Sequence, residues 1–559
     1  LREEAKQWQS AAVHLAAESQ DVAVYVAEGF ALANSILVVG PTGCVVVDVC
    51  ESLEAAQEVA AALRAVTDKP LVAMVYTHFH SDHTQGATAF LDFNRDPEGP
   101  LPVYAHSLTD KLMRGSLGSV AYITFKRAMR QFGTLVHDKG HISSGIGPRL
   151  RFNKDAGLGV LTPTHTFDSV LNATLGGVAF HMVHAPGETP DQSVALVALG
   201  NGNTVLLAAD NIYRAFPNLY AIRGSPHRDV MAWVRSLDTM IDLAADVMVP
   251  SHTGVVRGAA TVRDILTAYR DAISFVHDQT VRCINFGLTP DEIVQRVQLP
   301  PHLRNHPYLK ELYGTVAWSV RSIFSGYLGW FSGDAVDLGP LPRSQRGKRL
   351  SKLLGGPDKL LAAAQAALDD ADWQWALELA TDALASEELP TGVADDATAV
   401  RVAALHQLAA LTPSANGRNY FLTQALEASH DISHLLIPGR RAGATRIRQA
   451  PVIDLLDSLR LKLRAEACED VDKVLLYHLT DIDEVYSIHI RRGVAIVRKG
   501  PATREADVEM AMTMATFRDV ASQVRSKAVA YAVGDITVKR GSVAALGAFM
   551  ALFDPVEFS

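Results

Sequence analysis

Cysteine is scarce and scattered. The four residues, Cys44, Cys50, Cys283 and Cys468, contain no close pair of the kind that builds a thiolate zinc site or a redox motif, so they read as small buried hydrophobes. Long hydrophobic runs are missing as well. Stretches such as Ala244 to Pro250 fall far short of the roughly 20 residues a bilayer requires, which excludes a membrane-spanning helix. There is no excess of positive charge, and a formal net charge of −9 gives no support for a nucleic-acid partner. The chain begins at Leu1 rather than Met, and the expectation is a soluble protein, periplasmic or secreted if a signal peptide precedes Leu1.

A chain of 559 residues is too long for a single hydrophobic core, so two to four domains are expected. With 48% apolar and 20% charged residues it has the composition of a folded globular protein. Between Asp21 and about Gly200, short β-branched runs predict strands at 22–26, 33–39, 44–48, 70–76, 179–184 and 193–199, with a further strand at 204–209. Gly40-Pro41-Thr42-Gly43 and Gly200-Asn201-Gly202-Asn203 read as hairpin turns, and Ser52 as the cap of a helix over 54–66. After about Thr261 the pattern turns helical, with starts at Thr289-Pro290-Asp291-Glu292 and Pro357-Asp358-Lys359-Leu360. Breaks near Asp369-Asp370 and at 388–390 suggest stacked antiparallel helix pairs. The Gly- and Arg-rich stretch 438–443 reads as a linker, and strands at 484–490 and 493–497 followed by helices imply an α+β unit beyond it.

The densest chemistry lies in Thr77-His78-Phe79-His80-Ser81-Asp82-His83, directly after the apolar run 70–76. Three imidazoles and a carboxylate in the order His-x-His-x-Asp-His suit zinc and its borderline neighbours, and can serve two adjacent coordination centres. Two divalent ions need about eight to ten donor atoms, so partners must come from elsewhere in the chain. Strand ends offer them. Ala185-Pro186-Gly187-Glu188 presents Glu188, with Asp191 as a nearby competitor; Leu206-Leu207-Ala208-Ala209-Asp210 ends in a carboxylate able to bridge; and Val249-Pro250-Ser251-His252 delivers one more imidazole.

This ordered series resembles the metallo-β-lactamase superfamily, and Glu188 in place of the more usual His, followed by Asn218 and Arg223, resembles its alkyl sulfatase branch. The Pro-Gly-x-Glu-x-Pro pattern of that branch is matched through Pro190, with one residue fewer between Gly187 and Glu188. Further segments look like the family's: Ala33-Asn34-Ser35 and Asn218-Leu219-Tyr220-Ala221-Ile222-Arg223-Gly224 in its catalytic domain, Tyr327-Leu328-Gly329-Trp330 and Arg418-Asn419-Tyr420-Phe421 in its helical domain.

The resemblance implies a multidomain protein: an αββα metallo-β-lactamase sandwich over 1–285, an all-α dimerisation domain over 286–437, and an α+β sterol-carrier-protein-like domain over 438–559. It implies two zinc ions, one on His78, His80 and Glu188, the other on Asp82, His83 and His252, with Asp210 bridging and a metal-bound hydroxide as nucleophile. Arg223 and Asn218 would bind the sulfate of a small amphiphilic ester. The implied activity is hydrolysis of alkyl sulfates to alcohol and inorganic sulfate by a homodimer. The alternatives are a thioester, lactone or phosphoester hydrolase of the same superfamily, and a lipid-binding protein with a degenerate catalytic domain. His227 and Arg228, close after Arg223, receive no role, while Phe216, Phe324 and Trp330 are candidates to line an apolar channel.

Overall fold

A computed structural model describes residues 1–554 apart from 9, 94–98, 116–118, 153–155, 387–388 and 437–439. The chain forms two compact units: the first comprises 1–111, 124–152 and 159–436, the second 112–123, 153–158 and the segment from 437 onward.

Two sheets dominate the first unit. One runs in the order β1 (Ala12–Glu18), β2 (Ala23–Glu28), β3 (Ser35–Val39), β4 (Cys44–Val47), β5 (Leu71–Val75), β6 (Val103–His106), β7 (His165–Phe167). The other comprises β8 (Val170–Leu175), β9 (Val178–His184), β10 (Ser193–Ala198), β11 (Thr204–Ala209), β12 (Val247–Pro250) and β13 (Val256–Arg257), in the reverse spatial order. The predicted turns close their hairpins: Gly40 N–H donates to the Gly43 carbonyl at 2.9 Å and Leu199 N–H to that of Asn203 at 3.0 Å.

Strand periodicity explains the sandwich. On β11, Val205 and Leu207 face one way into a core shared with Val24, Val26, Ile36, Val38, Val45 and Val47 of the first sheet. Leu206 and Ala208 face the other way, against Trp233, Leu237 and Met240 of helix Val230–Asp242 and Ile265 and Tyr269 of helix Ala259–Asn285. A strand covered on both faces needs apolar residues throughout, which is why 204–209 reads as a continuous run. Helix Leu53–Arg64, capped where Ser52 Oγ accepts from Ala55 N–H at 3.3 Å, buries Ala55, Ala56, Val59, Ala60 and Leu63. The two sheets and their helices form the expected αββα arrangement.

Helices follow. Thr289 and Glu292 form a reciprocal capping box with Pro290 at the first turn. Helices Pro357–Asp369, Trp373–Leu384 and Thr391–Leu411 pack through Leu360, Ala364, Leu379, Ala380, Ala383, Ala397 and Val400. The expected break at Asp369-Asp370 is present; residues 387–388 lie outside the described set. Phe216 and Phe324 are members of the core, and Trp330 is 74% exposed.

In the second unit, β14 (Asp472–Leu479), β15 (Glu484–Arg491), β16 (Val494–Lys499), β17 (Val508–Met512) and β18 (Thr537–Arg540) form one sheet in the order β16-β15-β14-β17-β18. Leu475, Tyr477, Leu479, Ile488 and Ile490 pack with Phe517 and Phe549 from its helices, the expected α+β arrangement. Of the linker expected at 438–443, residues 438–439 lie outside the described set, and the remainder begins helix Arg440–Gln449. No helix among the described residues is long and apolar enough to cross a membrane.

Candidate metal centre

Two parallel strand pairs bring the chemistry to one place. β4 pairs with β5 and β11 with β12, so residues just past their C-terminal ends emerge at a common edge. Asp48 follows β4, Thr77 to His83 follow β5, Asp210 follows β11, and Ser251-His252 follow β12. The backbone is tightly bent here: Asp48, Cys50, Ala209 and Thr253 hold positive φ of 60°, 66°, 52° and 68°, a conformation costly for residues with a Cβ and concentrated where side chains must be aimed.

The side chains converge into two groups, His78 with His80 and Asp210, and Asp82 with His83 and His252; within each, the ligand atoms all lie within 4.8 Å of one another. Asp210 stands between them, its Oδ2 being 3.6 Å from His78 Nε2, 3.5 Å from His83 Nε2 and 3.3 Å from His252 Nε2. Asp82 Oδ2 is 3.5 Å from Nε2 of both His83 and His252. The Nε2 atoms of His78, His83 and His252 are buried and make no hydrogen bond. Their Nδ1 atoms are all engaged: His78 with Thr77 Oγ1 at 3.0 Å, His83 with Asp48 Oδ2 at 2.7 Å and His252 with the Leu32 carbonyl at 2.9 Å. Imidazoles anchored through one nitrogen and orphaned at the other, among carboxylates, form a donor set that fits divalent metal.

Electrostatics agree. Burial, reinforced by His83, holds His78 well below the usual histidine range, and burial with the Arg223 charge does the same to His80, so both rings are neutral ligands in waiting. Burial also opposes charge on His83, but Asp210, Asp82 and Asp48 outweigh it and hold that ring well above the usual range. Burial pushes the Asp82 carboxyl up, yet His83 and His252 outweigh it and bring it down to about 2.

Glu188 joins neither group directly. Its Oε1 is 2.9 Å from Arg228 Nη2, and its Oε2 accepts from Tyr213 Oη at 3.4 Å. Burial raises its pKa, with Arg228 opposing. Gly187 before it has no room for a Cβ, which would lie 2.0 Å from Asn211 Oδ1. Asp191 does not compete for the site: Thr189 and Thr109 donate to its two oxygens at 2.7 and 2.8 Å. Arg223 does reach it, with Nη2 3.2 Å from His80 Nε2 and its backbone N–H held by Gln131 Oε1 at 2.9 Å. Asn218 is buried on a segment braced from outside, Phe216 N–H donating to the Lys310 carbonyl at 2.7 Å and Gly314 N–H to that of Phe216 at 3.2 Å. A Cβ at Gly314 would lie 2.0 Å from the Pro217 carbonyl, so only glycine permits this approach. His227 is exposed; Arg228 is only 6% exposed.

Asp48 and Tyr213 belong to no motif in the sequence and join the site only in the fold. Asp48 has the same signature as Asp210, a carboxylate ending a buried strand. It accepts from Thr77 N–H at 2.9 Å, Thr77 Oγ1 at 2.9 Å and Ser251 Oγ at 3.0 Å besides His83.

An αββα sandwich with an imidazole and carboxylate cluster at its strand ends defines a class of metal-dependent hydrolases. Comparison with known proteins narrows it. The metallo-beta-lactamase superfamily model matches residues 29–252, alkyl sulfatase dimerisation 289–431 and alkyl sulfatase C-terminal 440–559. The chain is 36% identical over 535 residues to a linear primary-alkylsulfatase from a Pseudomonas species, covering 93% of this chain and 98% of that protein. It is 28% identical to an (R)-specific secondary-alkylsulfatase from Pseudomonas, over 95% of this chain and 80% of that one. The solved structure of the stereoselective inverting sec-alkylsulfatase Pisa1 from Pseudomonas superposes with a TM-score of 0.86 at 26% identity, covering 99% of this chain and 86% of its own. The chain belongs to the alkyl sulfatase family of the metallo-β-lactamase superfamily.

Proposed function

We propose that this protein hydrolyses alkyl sulfate esters to an alcohol and inorganic sulfate, and that two zinc ions would be held by His78, His80 and, through the lone pairs left free by its bonds to Arg228 and Tyr213, Glu188 on one side, and by Asp82, His83 and His252 on the other, with Asp210 placed to serve both. The observation that carries this reading is Arg223, whose guanidinium lies 3.2 Å from His80 Nε2. A fixed cation beside the ligand cluster favours an anionic substrate, and the planar fork of Arg matches two sulfate oxygens at once. Asn218 Oδ1 is buried without a partner, and a half-turn of the amide presents the NH2 there, so the side chain can donate to a third oxygen. Two divalent ions at this site supply Lewis-acid activation of water near neutral pH. The chain's own part is orientation: Arg223 and Asn218 grip the sulfate, Asp48 and the Leu32 carbonyl hold the imidazoles, and burial keeps these bonds out of competing water.

The family relationship supports the ester class, since the relatives are named for primary and secondary alkylsulfatase activity. A homodimer built through the helical segment fits the dimerisation-domain match and the exposure of Trp330, Val336, Leu338 and Leu353 at 74, 71, 65 and 81%. The C-terminal unit, an α+β fold with exposed Val529, Val533 and Val543, is read as sterol-carrier-protein-like.

The test is sulfate release from a panel of primary and secondary alkyl sulfates by purified, zinc-loaded protein. Sulfate with the matching alcohol supports the reading. Hydrolysis of thioesters or lactones with no sulfate from any ester would overturn it.

A further inference from the structure

Glu188 and Asn218 are joined twice. On one arm, Arg228 sets Nη2 2.9 Å from Glu188 Oε1 while its Nη1 donates to the Asn218 carbonyl. On the other, Tyr213 Oη donates to Glu188 Oε2 at 3.4 Å and accepts from Asn218 N–H at 2.7 Å. The two oxygens of one carboxylate are thereby linked to the two polar groups of one residue's backbone, closing a hydrogen-bonded ring. All four members are buried, with Glu188 5%, Asn218 1%, Arg228 6% and Tyr213 0% exposed, so these bonds form where water cannot replace them.

We propose that Arg228 and Tyr213 are positioning residues that strap the sulfate-gripping segment at Asn218 to the metal-side carboxylate Glu188, so that the anion clamp is built in register with the metal centre. This rests on the roles proposed above for Glu188 and Asn218. Each arm has its own duty. Arg228 neutralises a buried carboxylate and fixes a carbonyl with one planar fork, a span that the single-point ammonium of Lys cannot reproduce. Tyr213 satisfies the Asn218 N–H, which otherwise would be buried without a partner.

The experiment measures zinc retention against a competing chelator and calorimetric binding of inorganic sulfate, in zinc-loaded wild type, Arg228→Lys, Arg228→Met and Tyr213→Phe, with thermal midpoints as a check on folding. Arg228→Lys keeps the charge beside Glu188 and loses the second bond, so zinc retention should stay within about threefold while sulfate binding weakens about tenfold. Arg228→Met should lower zinc retention by about 10- to 100-fold as well. Tyr213→Phe removes one oxygen from a buried ring and should weaken sulfate binding about tenfold, which keeps the test available if an Arg228 variant fails to fold. Sulfate binding within twofold of wild type in both Arg228→Lys and Tyr213→Phe overturns the strap, as does a wild type that binds no sulfate. A wild type that binds sulfate yet cleaves no ester contradicts the hydrolase reading instead, and the variants then still decide the strap.

Discussion

Asp48 Oδ2 accepts a 2.7 Å hydrogen bond from His83 Nδ1, and that single contact fixes which nitrogen of His83 faces Asp82 and Asp210. The same carboxylate also holds Thr77 and Ser251, residues adjacent in sequence to His78 and His252. One buried side chain at the end of β4 thus orders both loops that carry the candidate ligands.

Replacing Asp48 by Ala therefore acts twice. It releases the His83 ring, for which a loss of about 10- to 100-fold in metal affinity is expected. It also strands the buried donors of Thr77 and Ser251, costing roughly 3 kcal/mol of stability. Chelator competition reads the first effect and denaturant unfolding the second; a variant equal to wild type in both would remove Asp48 from the account.

Arg223 is expected to act through substrate binding. Arg223→Ala should lower kcat/KM for an alkyl sulfate about 100-fold, the scale of losing a charge-assisted pair of hydrogen bonds. Arg223→Lys should recover part of this, because it keeps the charge without the fork. Steady-state kinetics on one primary alkyl sulfate checks both; unchanged kinetics in Arg223→Ala would place the sulfate elsewhere.

Glu51 is fully buried and accepts from the backbone N–H groups of Arg151 at 2.7 Å and Leu32 at 3.3 Å. Burial pushes its pKa up from 4.5 to about 7 against those hydrogen bonds, with Asp82 adding to the rise. The folded state therefore holds a proton that the unfolded chain has lost, and stability declines as pH rises through the window from 4.5 to about 7. At about 1.4 kcal/mol per pH unit the effect is on the order of 3 kcal/mol. Unfolding of metal-free Glu51→Gln at pH 5 and pH 8 should lack this decline and show a more stable protein than wild type at pH 8.

The proposed dimer is expected to use the exposed apolar residues of the helical segment. Introducing Asp at Leu353, which is 81% exposed, should leave folding intact because no core contact is lost, and should shift light scattering toward the monomer mass. A double substitution with Trp330→Glu should complete the shift. Persistent dimer in the double variant would assign the interface to another surface.

Much of this was legible from local pattern. The runs 70–76, 204–209 and 247–250 read as buried strands because both faces are covered, and each delivers a candidate ligand at its end. Short elements were not: β7 spans three residues and β13 two, too few for a period to show. β8 carries Asn172 and Thr174 on a half-exposed strand, which blurs its alternation. Within the site, the His-x-His-x-Asp-His loop is compact in sequence, so its chemistry announces itself. Asp48, Tyr213 and Arg228 act across separations that no local pattern encodes, 35 residues from Asp48 to His83 and 203 to Ser251. Arg228 looks like an exposed loop cation in sequence and becomes a buried pair only when the 188 and 218 segments meet.

On the proposed reading, the strand-end cluster is a metal centre that cleaves sulfate esters. Its most direct test is to strip the protein of metal, return zinc in measured equivalents, and follow sulfate released from a primary alkyl sulfate by ion chromatography. The stripped protein should release no sulfate, and release should rise and level off near about two equivalents per chain, with the rise abolished in Asp210→Ala. Sulfate release from fully stripped protein, or none after two equivalents have bound, would contradict it.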